Sequence, residues 1–139
     1  MATFTPFDSF IEAAMEGKHD FSSDTLKIAL TTDANAPDSS ADSVLADLTT
    51  VSLTNLSSDT VAISSSSQTS GTYTLALTDK TLTASGGDVG PFQHIVVYND
   101  SAASDELIGT IDVGSTTTIT DGNTFDVDFA TSTITIAPA

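Results

Sequence analysis

The sequence has no cysteine, no arginine and no tryptophan. Without cysteine there are no disulfides and no thiolate chemistry, and the usual ligand set of a tetrahedral zinc site is missing. Cationic side chains are scarce as well: three lysines stand against 19 acidic residues, a formal charge of −16 over 139 residues. Such a surface repels phosphate backbones and anionic lipids, so neither nucleic acid nor a membrane is an expected partner. No apolar run reaches bilayer-spanning length. The opening MATFTPFDSF has no basic segment and no apolar one, so it does not read as a secretory signal. These absences predict a chain made and folded in a cytoplasm. G-x-S-x-G, H-E-x-x-H and P-loop motifs are also missing, and the expectation is a protein that is not an enzyme and carries no cofactor.

What is present is globular. Hydrophobic residues make up 39%, above the range of disordered chains. The length suits one domain over residues 1–139 with a single core. Thr5-Pro6-Phe7-Asp8 reads as a helix start, with Thr5 as cap and Pro6 at the first helical position. Phe7, Phe10, Ile11, Ala14 and Met15 then share one helical face, and Gly17-Lys18 stops it, which predicts a helix over 6–16. Leu26 to Leu30 alternates as a strand with one buried face. Val44, Leu45 and Leu48 suit a turn or two of helix, with Ser39 and Asp42 as a capping pair. Val61 to Ile63 is a short strand, and Ser64 to Gly71 reads as a low-complexity turn. Tyr73, Leu75 and Leu77 alternate, Asp79-Lys80 turns the chain before Leu82, and the glycines of Ala84 to Pro91 predict a flexible connection. Ile95 to Tyr98 is continuously apolar, as in a strand covered on both faces. Leu107 to Val113 forms another strand, Gly114-Ser115 reads as a type II′ hairpin turn, and Ile134 with Ile136 anchors a last strand. Eight or nine short strands and one short N-terminal helix predict a mainly β fold, an antiparallel β-sandwich or jelly-roll-like domain.

The acid-rich stretch TDGNTFDVDF, Thr120 to Phe129, invites a cation-binding reading. An EF-hand loop needs alternating acids before its glycine and a later bidentate Glu. Here the glycine follows the first Asp and no Glu comes after. Period two gives a turn at Asp121-Gly122-Asn123 and a strand with Phe125, Val127 and Phe129 inward and Asp126 and Asp128 outward. Weak calcium binding stays open beside it. The loop Asp33 to Asp38 reads as an Asx/Pro turn. His94 sits at a strand start and His19 far from it in sequence, so they form no evident catalytic pair. Met1 to Thr5 forms an extended arm, and Thr3, Phe4 and Thr5 are the candidate partner contact, with Phe4 as an aromatic anchor. Packing of Phe4 on its own helix is the competing expectation.

Two segments resemble a group of small tailed-phage virion proteins described as head decoration, cement or structural proteins. The first is FDSFIEAAMEGKHDFSSDTLKIALTTD, Phe7 to Asp33. The second is HIVVYNDSAASDELIGTIDVGSTTTITDGNTFDVDF, His94 to Phe129. The middle, Asp38 to Pro91, carries no such likeness. The sequence departs from the pattern at Ile111-Asp112-Val113, where an aromatic is expected, and at Asn123, where an acid is usual. The family has no active site to transfer. The resemblance implies a virion protein, synthesised in a host cytoplasm, on the outer surface of the head. Its partner would be the major capsid protein, bound across subunit contacts so that the assembled shell is stabilised by linkage. Self-association as a homo-oligomer remains open. Two other readings stand beside it: a phage tail, fibre or baseplate component, and an acidic Ig-like surface adhesion module.

Overall fold

Short runs of β-branched and aromatic residues, punctuated by Gly, Asp, Asn and Ser, set the architecture. The computed structural model describes residues 3–129 and 133–137. Within them the chain forms strand β1 (Phe4–Pro6), helix α1 (Ser9–Met15) and strands β2 (Leu26–Thr31), β3 (Thr60–Val61), β4 (Ile63–Thr69) and β5 (Thr72–Leu77). Strands β6 (Lys80–Thr83), β7 (Val89–Asn99), β8 (Leu107–Ile119), β9 (Thr124–Val127) and β10 (Ile134–Ile136) follow. The protein is mainly β, with antiparallel sheets and one short α-helix. Pairing gives a five-stranded sheet ordered β1-β8-β7-β2-β3, a three-stranded sheet β10-β5-β4, and the pair β6-β9. This grouping of antiparallel sheets among the described residues fits a sandwich-like arrangement.

The five-stranded sheet is organised around β7 and β2, which pair from Leu26–Asn99 to Thr31–His94. Ile28, Leu30, Ile95 and Val97 face the larger core, which also takes in Leu75, Leu82 and Phe92. Ala29, Val96 and Tyr98 face the other way, against Phe7 and Leu107, with Leu45 and Leu48 packed around them. The continuous apolar run Ile95 to Tyr98 is thus covered on both faces, as its composition predicts. The alternation in β2 predicts one buried face, yet Ala29 and Thr31 are as enclosed as Ile28 and Leu30, because Phe7 and the Leu45–Leu48 segment roof the second side. Closing that side pushes the Tyr98 hydroxyl's pKa up to about 12, chiefly by burial.

Several local expectations give way to the fold. Thr5 and Pro6 do not open the helix; they belong to β1, which pairs with β8 through Phe4–Ile111, Thr5–Thr110 and Pro6–Gly109. Proline suits an edge strand, and β8 supplies an open edge; Phe7 N–H then donates to Ile108 O at 3.1 Å. The helix is consequently shorter than 6–16. Phe10 is its buried residue, while Ile11 and Met15 lie 49% and 83% exposed. Gly114-Ser115 does not turn the chain: between the pairs Phe92–Thr117 and His94–Asp112, β8 advances five residues while β7 advances two. The surplus is a bulge, built on Gly114 at φ +92° and on its N–H, which donates to Asp112 Oδ1 at 2.8 Å. Ser64 to Thr69 is not a turn but most of β4, joined to β5 through Ser70-Gly71, both at positive φ. Leu45–Asp47 is a single 3-10 turn, held by Asp47 Oδ2, which accepts from the N–H groups of Ser43 and Val44. The expected Ser39/Asp42 capping pair does not form. In the Ala84 to Pro91 connection, Gly86 and Gly87 sit at positive φ beside the Asn55 side chain, and β7 already begins at Val89.

Candidate functional site

The aspartates of Thr120 to Phe129 divide as period two predicts. Val127 and Phe129 are buried, Phe125 is half-buried, and Asp126 and Asp128 are exposed. The carboxylates nearby serve the backbone and neighbouring hydroxyls. Asp121 Oδ1 accepts from Gly86 N–H at 3.0 Å, Asp88 Oδ1 from Asp121 N–H at 2.8 Å, and Asp79 Oδ1 from Phe129 N–H at 2.7 Å. Thr81 Oγ1 donates to Asp126 Oδ1 at 2.8 Å across the β6–β9 pair. Among the described residues, no three His, Asp or Glu side chains gather around a point that would hold a metal ion.

The same use of carboxylates recurs as a five-residue clasp. In Asp20-Phe21-Ser22-Ser23-Asp24, Asp20 Oδ1 accepts from both the N–H and the hydroxyl of Ser22, and Asp20 N–H donates to Asp24 Oδ2 at 2.7 Å. Asp38-Ser39-Ser40-Ala41-Asp42 repeats it atom for atom: Asp38 Oδ1 accepts from Ser40 N–H and Oγ, and Asp38 N–H donates to Asp42 Oδ2 at 2.8 Å. The serine hydroxyls are the leading reason that the Asp20 and Asp38 carboxyls are held below their usual range. These loops have no ladder to pair their N–H groups, and the acids supply it. The D-x-S-x-D spacing was visible in the sequence and would have flagged both clasps.

The histidines sit in different settings. His94 Nε2 lies 3.5 Å from Asp33 Oδ1, an ion-pair distance with no aligned hydrogen bond at that nitrogen. His19 packs in a three-ring cluster with Phe10 and Phe21, its ring centroid 5.4 and 5.2 Å from theirs and theirs 6.0 Å from each other. Its Nδ1 meets Asn99 Nδ2 at 3.0 Å. The Asn99 amide is oriented by two anchors: Oδ1 accepts from Ser101 N–H at 2.9 Å, and Nδ2 donates to Asp24 Oδ2 at 2.6 Å. With Nδ2 donating, His19 Nδ1 must accept, which puts the ring proton on Nε2. Burial lowers the His19 pKa, opposed by the charges of Glu106 and Asp24.

The candidate contact residues Thr3, Phe4 and Thr5 lie at the start of the chain, beside β8. Thr3 and Thr5 are exposed and Phe4 is half-buried. The Phe4 ring packs edge-on to Phe129 at 6.0 Å and lies against Gly109, where an added Cβ would overlap it. Phe4 therefore packs, as the competing expectation has it, but against β8 and Phe129 instead of its own helix. Residues 1–2 of the expected arm lie outside the described residues. Two further surfaces stand out. Ile11 and Met15 form an exposed apolar pair one turn apart on α1. A cleft of about 240 Å³ is lined by Ile95, Ile111, Val113, Phe125 and Val127, with Asp126 and Asp128.

Comparison with protein-family models, with curated proteins and with solved structures returns no match to this chain.

Proposed function

We propose that this chain is an accessory coat protein of tailed-phage heads. In this reading it binds the outside of the assembled shell across contacts between major capsid protein subunits and holds them together. The observation that carries the reading is the paired likeness of Phe7 to Asp33 and His94 to Phe129 to small phage decoration proteins. Support comes from how those segments fold. Strand β2, from the first, pairs along its whole length with the His94 to Asn99 half of β7, from the second. The likeness thus spans one packed unit, while the dissimilar middle supplies β3 to β6.

The surface chemistry fits a coat protein. A charge of −16 keeps particles soluble and apart. The exposed Ile11 and Met15 share α1 with Glu12, and Asp8 and Glu16 bound that helix, so this face suits an apolar partner surface with basic groups around it. Thr3 and Thr5 remain candidate contacts at β1. Binding to the assembled shell and not to free subunits stabilises the shell by linkage, and many symmetry-related copies make small interfaces add up.

The test is binding of the purified protein to undecorated shells and to unassembled capsid subunits, with its copy number counted in virions. Saturable shell binding at a stoichiometry comparable to the major capsid protein is expected. The double variant Ile11→Ser with Met15→Ser should bind about tenfold or more weakly, since burying two such side chains is worth about 1.5–3 kcal/mol each. A handful of copies per particle would assign the protein to the tail instead, and no binding to either form would reject the virion reading.

A further inference from the structure

Charge is spread over nearly the whole chain, with one long exception. From Thr60 to Thr78 there is no charged residue, and this stretch builds β4 and β5 with their turn. Strand β4 ends the three-stranded sheet, so among the described residues one side of it has no neighbouring strand. From Ser64 to Thr69 it is exposed throughout. Proteins usually guard such an edge with lysine, proline or an inward-pointing charge. Strand β4 has none of these, and its one irregularity is a bulge at its base, between Ile63 and Ser65.

The backbone of this edge is ordered for pairing. Thr69 and Thr72 flank the two-residue turn Ser70-Gly71, and the register continues through Gln68–Tyr73 and Ser66–Leu75. Antiparallel alternation then turns the N–H and C=O of Gln68 and Ser66 away from β5. Side chains reinforce the strand from its own sheet: Ser66 Oγ and Tyr73 Oη are 2.8 Å apart, and Gln68 Oε1 accepts from Gly71 N–H at 3.0 Å. A groove of about 460 Å³ adjoins the start of the strand, between Phe21–Thr25 and Thr60–Ser66. Asp24 is its one carboxylate, already engaged by Asn99 and Asp20.

We infer that the β4 edge is a self-association surface, on which a second copy of this chain adds its own β4 antiparallel across a two-fold axis. Charge favours a second copy as the partner. Two molecules of charge −16 repel over most orientations, and the uncharged ribbon is the approach with least repulsion. The serine run is also self-complementary. A two-fold axis at Ser67 sets Ser66 of each copy opposite Gln68 of the other, so the outward backbone groups of both meet. This inference stands independently of the capsid reading.

Sedimentation equilibrium of the full chain over a range of protein concentrations and salt tests it. The mass should rise from 14.2 kDa to twice that value, and association should strengthen as salt screens the mutual repulsion. Ser66→Pro deletes an outward N–H without touching the β4–β5 ladder. Each lost backbone bond is worth about fivefold, and the two-fold axis loses two, so the dimer constant should fall by roughly 25-fold. Ser66→Asp keeps the N–H and adds a like charge from both copies to the shared edge; it should weaken association as well, with circular dichroism confirming that both variants fold. Hydrogen exchange at Ser66 and Gln68 should slow with protein concentration, while Ser65 and Ser67, paired inward, should not change. A monomer at all concentrations and salts overturns the inference, and so does undiminished dimerisation of both variants.

Discussion

Strands β7 and β4 both lack alternation of polar and apolar residues, for opposite reasons. In β7, Ile95 and Val97 enter the larger core while Val96 and Tyr98 pack against Phe7 and Leu107. In β4, Ser64 to Gln68 meet solvent on both sides. Period two marks a strand only where the two faces differ. The apolar run still reads as a strand, because few other structures bury four consecutive large residues. The serine run loses that cue, and serine's preference for turns misleads. A strand can thus be fixed by its neighbour alone: β4 is held by its ladder to β5.

The largest test of this contrast sets one truncation in each strand. Ile95→Ala removes a side chain that is 1% exposed, and should cost about 2–5 kcal/mol in urea unfolding. Ser67→Ala, on the exposed strand, should stay within about 0.5 kcal/mol. Comparable losses at the two positions would break the contrast and show that β4 contributes packing of its own.

A middle case sharpens it. Strand β1 is short, with Thr5 and Pro6 exposed and Phe4 half-buried, yet it is held by one tight contact. A Cβ at Gly109 would lie 2.3 Å from Phe4 Cε1 and 2.9 Å from Thr5 O. Gly109→Ala should therefore displace β1 and cost about 1–3 kcal/mol. Faster hydrogen exchange across Phe4 to Phe7, with β7 and β2 unchanged, is the expected signature. A silent Gly109→Ala would mean that β1 adapts as freely as β4 does.

The sequence made some of this legible. Phe125, Val127 and Phe129 alternate against Asp126 and Asp128, and the structure follows that pattern because one face of β9 is wet and the other dry. The apolar centre of β7 was equally clear. Strand β1 was hidden because Thr5 and Pro6 suit a helix start as well as an edge strand, and only the distant edge of β8 decides between them. The bulge at Gly114 was hidden for the same reason: a glycine at positive φ serves a hairpin or a bulge, and the register with β7 selects. At the candidate site, the solvent-facing acids were readable, but their work as backbone acceptors was not, since it depends on where ladders are missing. Packing of Phe4 is foreseen on its own helix, and only the fold brings Gly109 and Phe129 to it.

The smallest expected effect lies at the polar end of β7, where Asn99 is fully buried. Its amide joins Asp24 Oδ2 to His19 Nδ1, so the apolar strand ends in a satisfied polar contact and not in bulk water. That contact requires a neutral His19, because a protonated Nδ1 would confront the Asn99 amide donor. Burial holds the His19 pKa below its ordinary 6.5, against the pull of Glu106 and Asp24. The unfolded chain therefore binds a proton at a pH where the folded one does not. Stability contributed by His19 is complete above about pH 6.5 and is lost as pH falls below it. The carboxyls of Asp20, Asp38, Asp47 and Asp112 are held low by hydrogen bonds, so they titrate outside this window. Urea unfolding between pH 7.5 and 5.5 should show stability falling as the pH is lowered. His19→Gln should flatten the slope, whereas His94→Gln, beside the exposed Asp33, should leave the His19 part in place. An unchanged slope in His19→Gln would mean that the end of β7 tolerates charge, as the open edge of β4 does.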